Sequence, residues 1–401
     1  PRYNARDSVI KLSKIHNAKL VLGSATPSLE SKFNALNNKY GYIKLSEKYG
    51  TSKLPEIKFV DMKIYHKADK MKGLLTPELY DAIQKNLDKG HQILLFQNRR
   101  GYAPIIECTT CGHIPKCKSC DVSLTYHQYS NSLKCHYCGF NQKNQKRCLF
   151  CDSEKIDMKG YGTQQVQEQI NFFFPSAKVA RMDWDTTRGK FSVDRIFEKL
   201  DNHEIDILIG TQMITKGLDF KNIGLVGVIN ADNILYFPNF RANEKAFQVL
   251  TQVAGRAGRT RIQGKVIIQT FSSENKIFDL IKKNDHDGFY NQEIYERKEF
   301  NYPPHYRLIK LTMKSKNIET LILASNWLFK SLSNGFVYPI YGPFDPYIAK
   351  IKNEHIKEIL IKYPNTAVRK KIKEHLIKSV GSFESIGKFN NIKLNIDIDP
   401  I

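Results

Sequence analysis

Long apolar runs are missing from this 401-residue sequence. Stretches such as Ile105-Ile106 or Phe172 to Phe174 fall far short of the roughly 20 residues that a bilayer span needs. The opening residues Pro1-Arg2-Tyr3-Asn4 carry no apolar stretch of the kind found in secretory signals. The chain begins on proline rather than methionine, so the expectation is a piece of a longer polypeptide. Internal repeats and low-complexity tracts are absent. Acidic side chains are in short supply: 40 Asp and Glu stand against 62 Lys and Arg, a formal charge of +22. That balance favours polyanions, either nucleic acid or an anionic membrane surface, and is silent on fold. With 41% hydrophobic and 11% aromatic residues the chain is no disordered tail, and its length suits two or three domains.

Cysteine is confined to one stretch of 44 residues. All eight belong to C-x-x-C pairs: Cys108/Cys111, Cys117/Cys120, Cys135/Cys138 and Cys148/Cys151. A secreted disulfide framework would scatter them, whereas paired knuckles in a reducing compartment point to metal. Two thiolates at this spacing both reach one tetrahedral Zn²⁺. Four knuckles make two sites, with three possible pairings. Fourteen residues separate Cys120 from Cys135, a common zinc-ribbon spacing, while the five between Cys111 and Cys117 are cramped. A nested arrangement is favoured, with Cys117, Cys120, Cys135 and Cys138 inside and Cys108, Cys111, Cys148 and Cys151 closing around them. Sites filled by four sulfurs are structural rather than catalytic. The competing readings are buried free thiols, a redox C-x-x-C, or replacement of a ligand by His113, His127 or His136. Lys116, Lys118, Lys134, Lys146 and Arg147 surround the knuckles, with Tyr126, Tyr137 and Phe140 among them. Basic and aromatic side chains hold phosphates and stack bases, although a solvated face over a small core has the same composition.

On either side of this module, short apolar strands alternate with helices. Lys19 to Leu22 reads as a strand ending in Gly23-Ser24-Ala25-Thr26-Pro27-Ser28. Thr76-Pro77 opens a helix, and Ile93 to Phe96 is a buried strand. Beyond the cysteines, helices at Gln164–Phe172, Ser192–Leu200 and Glu244–Val253 alternate with strands at Lys178–Met182, Asp206–Ile209, Leu225–Ile229 and Val266–Gln269. This alternation predicts a parallel sheet with helices on both faces. From about 295 the pattern changes to that of an α+β domain, with a strand at Leu308–Met313, a helix near 318–333 and a Lys-rich helix near 365–378.

Two further segments carry chemistry. In Gln252-Val253-Ala254-Gly255-Arg256-Ala257-Gly258-Arg259 the two arginines are three apart and share a helix face. Paired guanidiniums suit a triphosphate, although an exposed basic helix is the plain alternative. Ile209-Gly210-Thr211-Gln212-Met213-Ile214-Thr215-Lys216-Gly217-Leu218-Asp219-Phe220 follows a strand, which places its polar groups at the carboxyl edge of the sheet, where open α/β sheets bind ligands.

These segments occur in the order Gly23 to Ser28, Asn98-Arg99-Arg100-Gly101-Tyr102, four knuckles, Gly210 through Gly217, then Gln252 to Arg259. In that order they closely resemble the primosomal protein N-prime family, bacterial replication-restart DNA helicases of superfamily 2. Asp183-Trp184-Asp185-Thr186-Thr187, Tyr302-Pro303-Pro304 and Asp397-Ile398-Asp399-Pro400 also look like that family. The resemblance implies an α/β fold: a RecA-like helicase lobe with a parallel sheet, an inserted two-zinc module of four-cysteine sites and a C-terminal α+β domain. Residues 1–56 would end the first helicase lobe, 57–104 and 156–290 would form the second, 105–155 the zinc insertion and 291–401 the C-terminal domain.

By the same resemblance Gly23, Ser24, Ala25 and Thr26 couple ATP state to DNA contact. Thr211, Gln212, Lys216, Gly217 and Asp219 link nucleotide and DNA strand. Gln252, Arg256 and Arg259 complete the ATP site, with Arg259 as the finger. The implied function is ATP-dependent 3′-to-5′ unwinding for replication restart and primosome assembly, in the bacterial cytoplasm. The implied cofactors are two structural Zn²⁺, ATP and Mg²⁺. The implied partners are forked and single-stranded DNA, primosome proteins and single-stranded-DNA-binding protein, with no membrane. The sequence departs from the family in lacking the G-x-x-x-x-G-K-[ST] phosphate loop and the D-E-x-H motif. Those segments hold the phosphates, Mg²⁺ and the attacking water, so this chain alone is not expected to hydrolyse ATP. His305 stands where the family often has an aromatic, and Asn353-Glu354-His355 where it is more basic. The alternatives are a non-catalytic zinc-containing DNA- or protein-binding scaffold, and an RNA helicase relative. Relatives of that second kind usually begin the arginine motif with His rather than Gln252 and lack the knuckles.

Overall fold

The computed structural model describes residues 4–45, 54–98, 105–127, 131–159, 162–183, 186–187, 189, 191–215, 222–258 and 263–400, with 158–159 and 215 described by backbone alone. The chain divides into two compact units. One comprises Asn38–Ile105 and Met158–Asn291; the other comprises Pro1–Asn37, Ile106–Asp157 and Gln292–Ile401.

The first unit is an α/β layer around a six-stranded sheet, parallel throughout. Its strand order is Glu56–Asp61, Lys265–Thr270, Ile223–Val228, Gln92–Phe96, Ile207–Gly210, Val179–Met182. The central strands are buried from end to end, which is why they read as unbroken apolar runs rather than alternating ones. The helix Pro77–Asp88 starts where Thr76 caps the Leu79 N–H and proline occupies the first turn. Its apolar face, Leu79, Ala82 and Ile83, packs with Val166 and Ile170 of the helix Thr163–Phe173 and with Ile93, Leu95, Ile207 and Ile209 of the sheet. Gln269 is wholly buried in this core and fully satisfied. Its Nε2 donates to the Leu74 and Ile229 carbonyls, each at 2.9 Å, and its Oε1 accepts from the Thr76 N–H at 2.7 Å. One polar side chain thus ties strand Lys265–Thr270 to the start of a helix nearly two hundred residues away.

In the second unit, an antiparallel sheet runs in the order Ile340–Phe344, Glu354–Pro364, Tyr306–Ser315, Lys393–Ile398, with the short strand Lys350–Ile351 also paired to Glu354–Pro364. The helices Ile318–Ser333 and Arg369–Glu384 cover it, burying Leu321, Leu328, Leu376 and Phe383 against Leu311, Ile359 and Ile361. The cysteine-rich stretch carries a three-stranded sheet, Thr125–His127, Ser132–Lys134 and Asn141–Lys143, and Ile105–Cys108 pairs with Ile156–Lys159. The α/β sheet, the cysteine module and the C-terminal antiparallel domain are the fold class that the pattern predicts.

Two local expectations differ. Lys19–Leu22 forms no strand: among the described residues nothing pairs with it, and Val21 is 90% exposed, so apolar content has no ladder to join. The Lys-rich helix begins at Arg369 rather than near 365, because the preceding strand continues to Pro364 and a turn follows it, with the Asn365 N–H on the His305 carbonyl and the Ala367 N–H on that of Pro364.

Candidate functional site

The eight cysteines gather into two sets of four. Within each set, Cys108/Cys111/Cys148/Cys151 and Cys117/Cys120/Cys135/Cys138, the Sγ atoms lie within 4.8 Å of one another. Contacts run 3.6 Å for Cys108–Cys151, 3.7 Å for Cys111–Cys148 and 3.5 Å for Cys117–Cys138. Four sulfurs held about 2.3 Å from one tetrahedral Zn²⁺ stand about 3.8 Å apart, so both sets fit the ion. The pairing is the nested one.

Backbone geometry prepares the sulfurs. In every knuckle the first cysteine's N–H donates to the carbonyl five residues on: His113, Val122, Phe140 or Ser153. Further N–H groups point at sulfur, Ser119 to Cys117, Phe140 to Cys138 and Phe150 to Cys148, each at 3.4 Å. The Phe140 N–H brings the Cys138 thiol down to about 7. Burial opposes ionisation of Cys108, but the N–H groups of Cys111 and Thr110 outweigh it and bring that thiol to about 6. Burial pushes Cys117 up to about 12. Four thiols this close ionise together only against a cation, which is the chemistry of a zinc site with four sulfur ligands. The histidines are not ligands in either set. His113 stacks on Phe150, and His127 lies against His136.

The basic and aromatic side chains around the knuckles divide. Lys116, Lys118 and Lys146 are exposed, and Tyr137 is 47% exposed. Tyr126 and Phe140 pack on the module's small core. Arg147 is already met by Asp152 at 3.1 Å and Glu154 at 2.9 Å.

In the parallel sheet, three adjacent strands end in polar residues. Gln97 and Asn98 follow Phe96, Asp183 follows Met182, and Thr211 and Gln212 follow Gly210. Gln212 Nε2 reaches Asn98 Oδ1 at 3.4 Å, and the Thr211 N–H meets the Met182 carbonyl at 3.4 Å. Asp183 is buried and anchors this edge. It accepts from Thr163 Oγ1 at 2.5 Å and the Thr186 N–H at 3.1 Å, and pairs with Arg181 Nε at 3.0 Å. In the sequence Asp183 is only one letter of a resemblance; its anchoring role depends on Thr163, a residue of another element.

Gln252 lies in the last turn of the helix Ala242–Ala254; Gly255 ends that helix, so Arg256, 8% exposed, stands just beyond it and not on the helix face expected for the arginine pair. The Gly258 N–H donates to the Ile223 carbonyl at 3.2 Å, which holds this segment near the start of strand Ile223–Val228, while the same helix packs on the Gln212–Thr215 turn. One helix therefore links the Gln252–Arg256 segment to the turn that carries Gln212. Gly23, Ser24 and Ala25 are exposed in the other unit; Thr26 is buried, and its N–H is bound to Ser24 Oγ at 3.1 Å. Lys216, Gly217, Asp219 and Arg259 lie outside the described residues, as do Arg99 to Tyr102, Trp184 and Asp185.

Comparison with known proteins bears on this arrangement directly. A family profile described as the PriA DNA helicase Cys-rich region (CRR) domain matches residues 117–143, and one described as the Primosomal protein N C-terminal domain matches 298–401. The Replication restart protein PriA of Bacillus subtilis is 38% identical over 406 residues, covering all of this chain and 49% of that protein. This chain is a homologue of PriA. The protein of the same name from Borreliella burgdorferi is 39% identical over 90% of this chain and 54% of its own length, and that of Rickettsia prowazekii 37% identical over 99% and 60%. The chain thus spans about half the length of the PriA relatives it matches. Among solved structures, S. cerevisiae Dbp5 bound to RNA and ADP BeF3 overlaps 73% of this chain and 58% of its own at 11% identity, a loose likeness with a TM-score of 0.36. No helix among the described residues is long and apolar enough to cross a membrane.

Proposed function

We propose that this chain is the carboxyl part of an ATP-dependent DNA helicase of 3′-to-5′ polarity, which restarts replication and seeds primosome assembly at stalled forks in the bacterial cytoplasm. The observation that carries the reading is similarity to PriA along the whole chain, with the cysteine module inserted in sequence between strands of a parallel α/β sheet. In this reading residues 1–56 end the first helicase lobe, 57–104 and 156–290 form the second, 105–155 are the zinc insertion and 291–401 the C-terminal domain.

The groups that hold ATP phosphates and Mg²⁺ are not in this sequence, so the chain completes a nucleotide site rather than building one. Bound ATP supplies the free energy that closes and reopens two lobes. Separating DNA costs about 1.4 kcal/mol per base-pair step. Within this chain Arg256 and Arg259 would present two guanidiniums to the nucleotide, with Gln252 at the end of the preceding helix. Thr211, Gln212, Lys216, Gly217 and Asp219 would report nucleotide state to a DNA strand, and Gly23 to Thr26 would do so from the other lobe. The +22 charge and the exposed lysines of the knuckles suit forked and single-stranded DNA. Primosome proteins and single-stranded-DNA-binding protein are the partners this reading brings.

The test is strand separation by the full-length protein on forked substrates with 3′ or 5′ single-stranded arms, beside an RNA duplex. ATP-dependent separation confined to DNA with a 3′ arm is expected. Equal activity on RNA would favour the RNA helicase reading, and tight DNA binding with no ATP turnover the scaffold reading.

A further inference from the structure

Three of the four zinc knuckles are closed by their own chain. Gly112, Gly139 and Asp152, at φ +70°, +80° and +56°, turn their N–H groups back onto the carbonyls of Cys108, Cys135 and Cys148 at 2.8, 2.9 and 3.0 Å. In the Cys135 knuckle, which shares a site with the Cys117 knuckle, the second cysteine then takes a backbone N–H from two residues later, Phe140 to Cys138 Sγ at 3.4 Å. The Cys117 knuckle differs on both counts. The Asp121 N–H goes to the carbonyl of Lys350, at 2.8 Å, and the N–H on Cys120 Sγ comes from Lys352, at 3.2 Å. A third bond runs from the Asn353 N–H to the Ser119 carbonyl at 2.8 Å.

All three contacts come from the tip of one hairpin of the C-terminal domain. Lys350 pairs with His355 and Ile351 with Glu354, leaving Lys352 and Asn353 as a two-residue turn with φ +52° and +62°. Positive φ at both positions is the type I′ turn, whose two central N–H groups take no part in the ladder. Here both are spent on the knuckle. Ile351 beside them packs on the module's apolar core with Leu124, Leu133 and Phe140.

We propose that the Lys350–Asn353 hairpin is a working part of the Cys117/Cys120/Cys135/Cys138 metal site, holding the Cys120 thiolate for zinc through the Lys352 backbone N–H. Zinc retention at this one site therefore depends on the C-terminal domain, and the outer site does not share that dependence. An N–H donated to a thiolate stabilises its charge and fixes its direction, and outer contacts of this kind are worth about 10–100-fold in metal affinity. The proposal rests on the zinc reading of the cysteines and on no part of the ATP or DNA reading.

The experiment loads the chain with two zinc ions and follows their transfer to a chromophoric chelator. Lys352→Pro removes the N–H and is incompatible with φ near +52°. One of the two ions should leave about tenfold faster or more, and the other at the unchanged rate. The paired substitution Lys352→Asn with Asn353→Gly keeps both N–H groups and favours the turn, so release should match or trail that of the parent. Hydrogen exchange on the unsubstituted chain gives an independent readout should the proline variant fail to fold. The amides of 352 and 353 should be protected with zinc bound and exchange freely once it is chelated. Unchanged release in Lys352→Pro, or unprotected amides in the loaded chain, would overturn the proposal. A chain that holds no zinc would overturn the metal reading beneath it as well.

Discussion

His305 shows how one side chain can carry a pH response. Its ring lies edge-on to Phe33, with centroids 5.1 Å apart. Burial lowers its pKa below 6.5; a bond to the backbone of Ile294 opposes this and the charge of Lys298 adds to it. The unfolded chain therefore takes up a proton near pH 6.5 that the folded chain still refuses. Stability is complete above that pH and declines as the pH falls through and below it. His305→Phe keeps a ring against Phe33 and removes the titration. Its urea midpoint should change less between about pH 7.5 and about pH 5.5 than that of the parent, and an equal fall in both would reject the assignment. The residue was legible as a departure from a family pattern, but its burial was not, because Phe33 and Ile294 come from elements that local patterning does not relate to it.

Among elements, Gly264, just before the strand Lys265–Thr270, lies hard against the backbone that follows Arg256. A Cβ on Gly264 would lie 2.3 Å from the Gly258 nitrogen and 2.5 Å from the Ala257 carbonyl carbon, both backbone atoms that cannot swing aside. Gly264→Ala should cost about 1–3 kcal/mol and shift the Arg256 segment, lowering ATP turnover of the full-length protein while its zinc content stays at the parent level. Normal turnover with normal stability would mean that the segment tolerates displacement. Element type was readable wherever a strand is buried from end to end: Ile207–Gly210 and Ile223–Val228 are apolar throughout, as interior strands of a parallel sheet are. Glu354–Pro364 was missed. Its burial alternates imperfectly and charged Glu354, Lys357, Glu358 and Lys362 interrupt it, their cost met by partners such as Lys393 at 2.5 Å from Glu354 and the Phe300 carbonyl at 2.8 Å from Lys362 Nζ. With that strand went the hairpin at Lys352-Asn353, so its contact with the cysteine module had no signal in the local pattern.

At the scale of the whole chain, the cysteine module cannot stand on apolar burial alone. Its buried core is Ile106, Leu124 and Leu133 together with Cys117, Cys120 and Cys135. Metal binding is therefore folding free energy here. Chelation should open residues 106–157 to proteolysis and leave the six-stranded sheet intact by circular dichroism; a module that stays protected without metal would contradict this. The ligand set was legible because eight cysteines in four C-x-x-C pairs leave few alternatives, and spacing alone favoured the nested pairing. The residues proposed to be nucleotide-linked were legible only as motifs, and Lys216, Gly217, Asp219 and Arg259 lie outside the described residues. Whether the paired arginines act on ATP decides the proposed function. The direct measurement is DNA-stimulated ATP turnover by the full-length protein carrying Arg259→Ala, with fork binding measured alongside. A fall of about a thousandfold or more in turnover with binding retained is expected. Turnover at the parent rate would contradict the assignment.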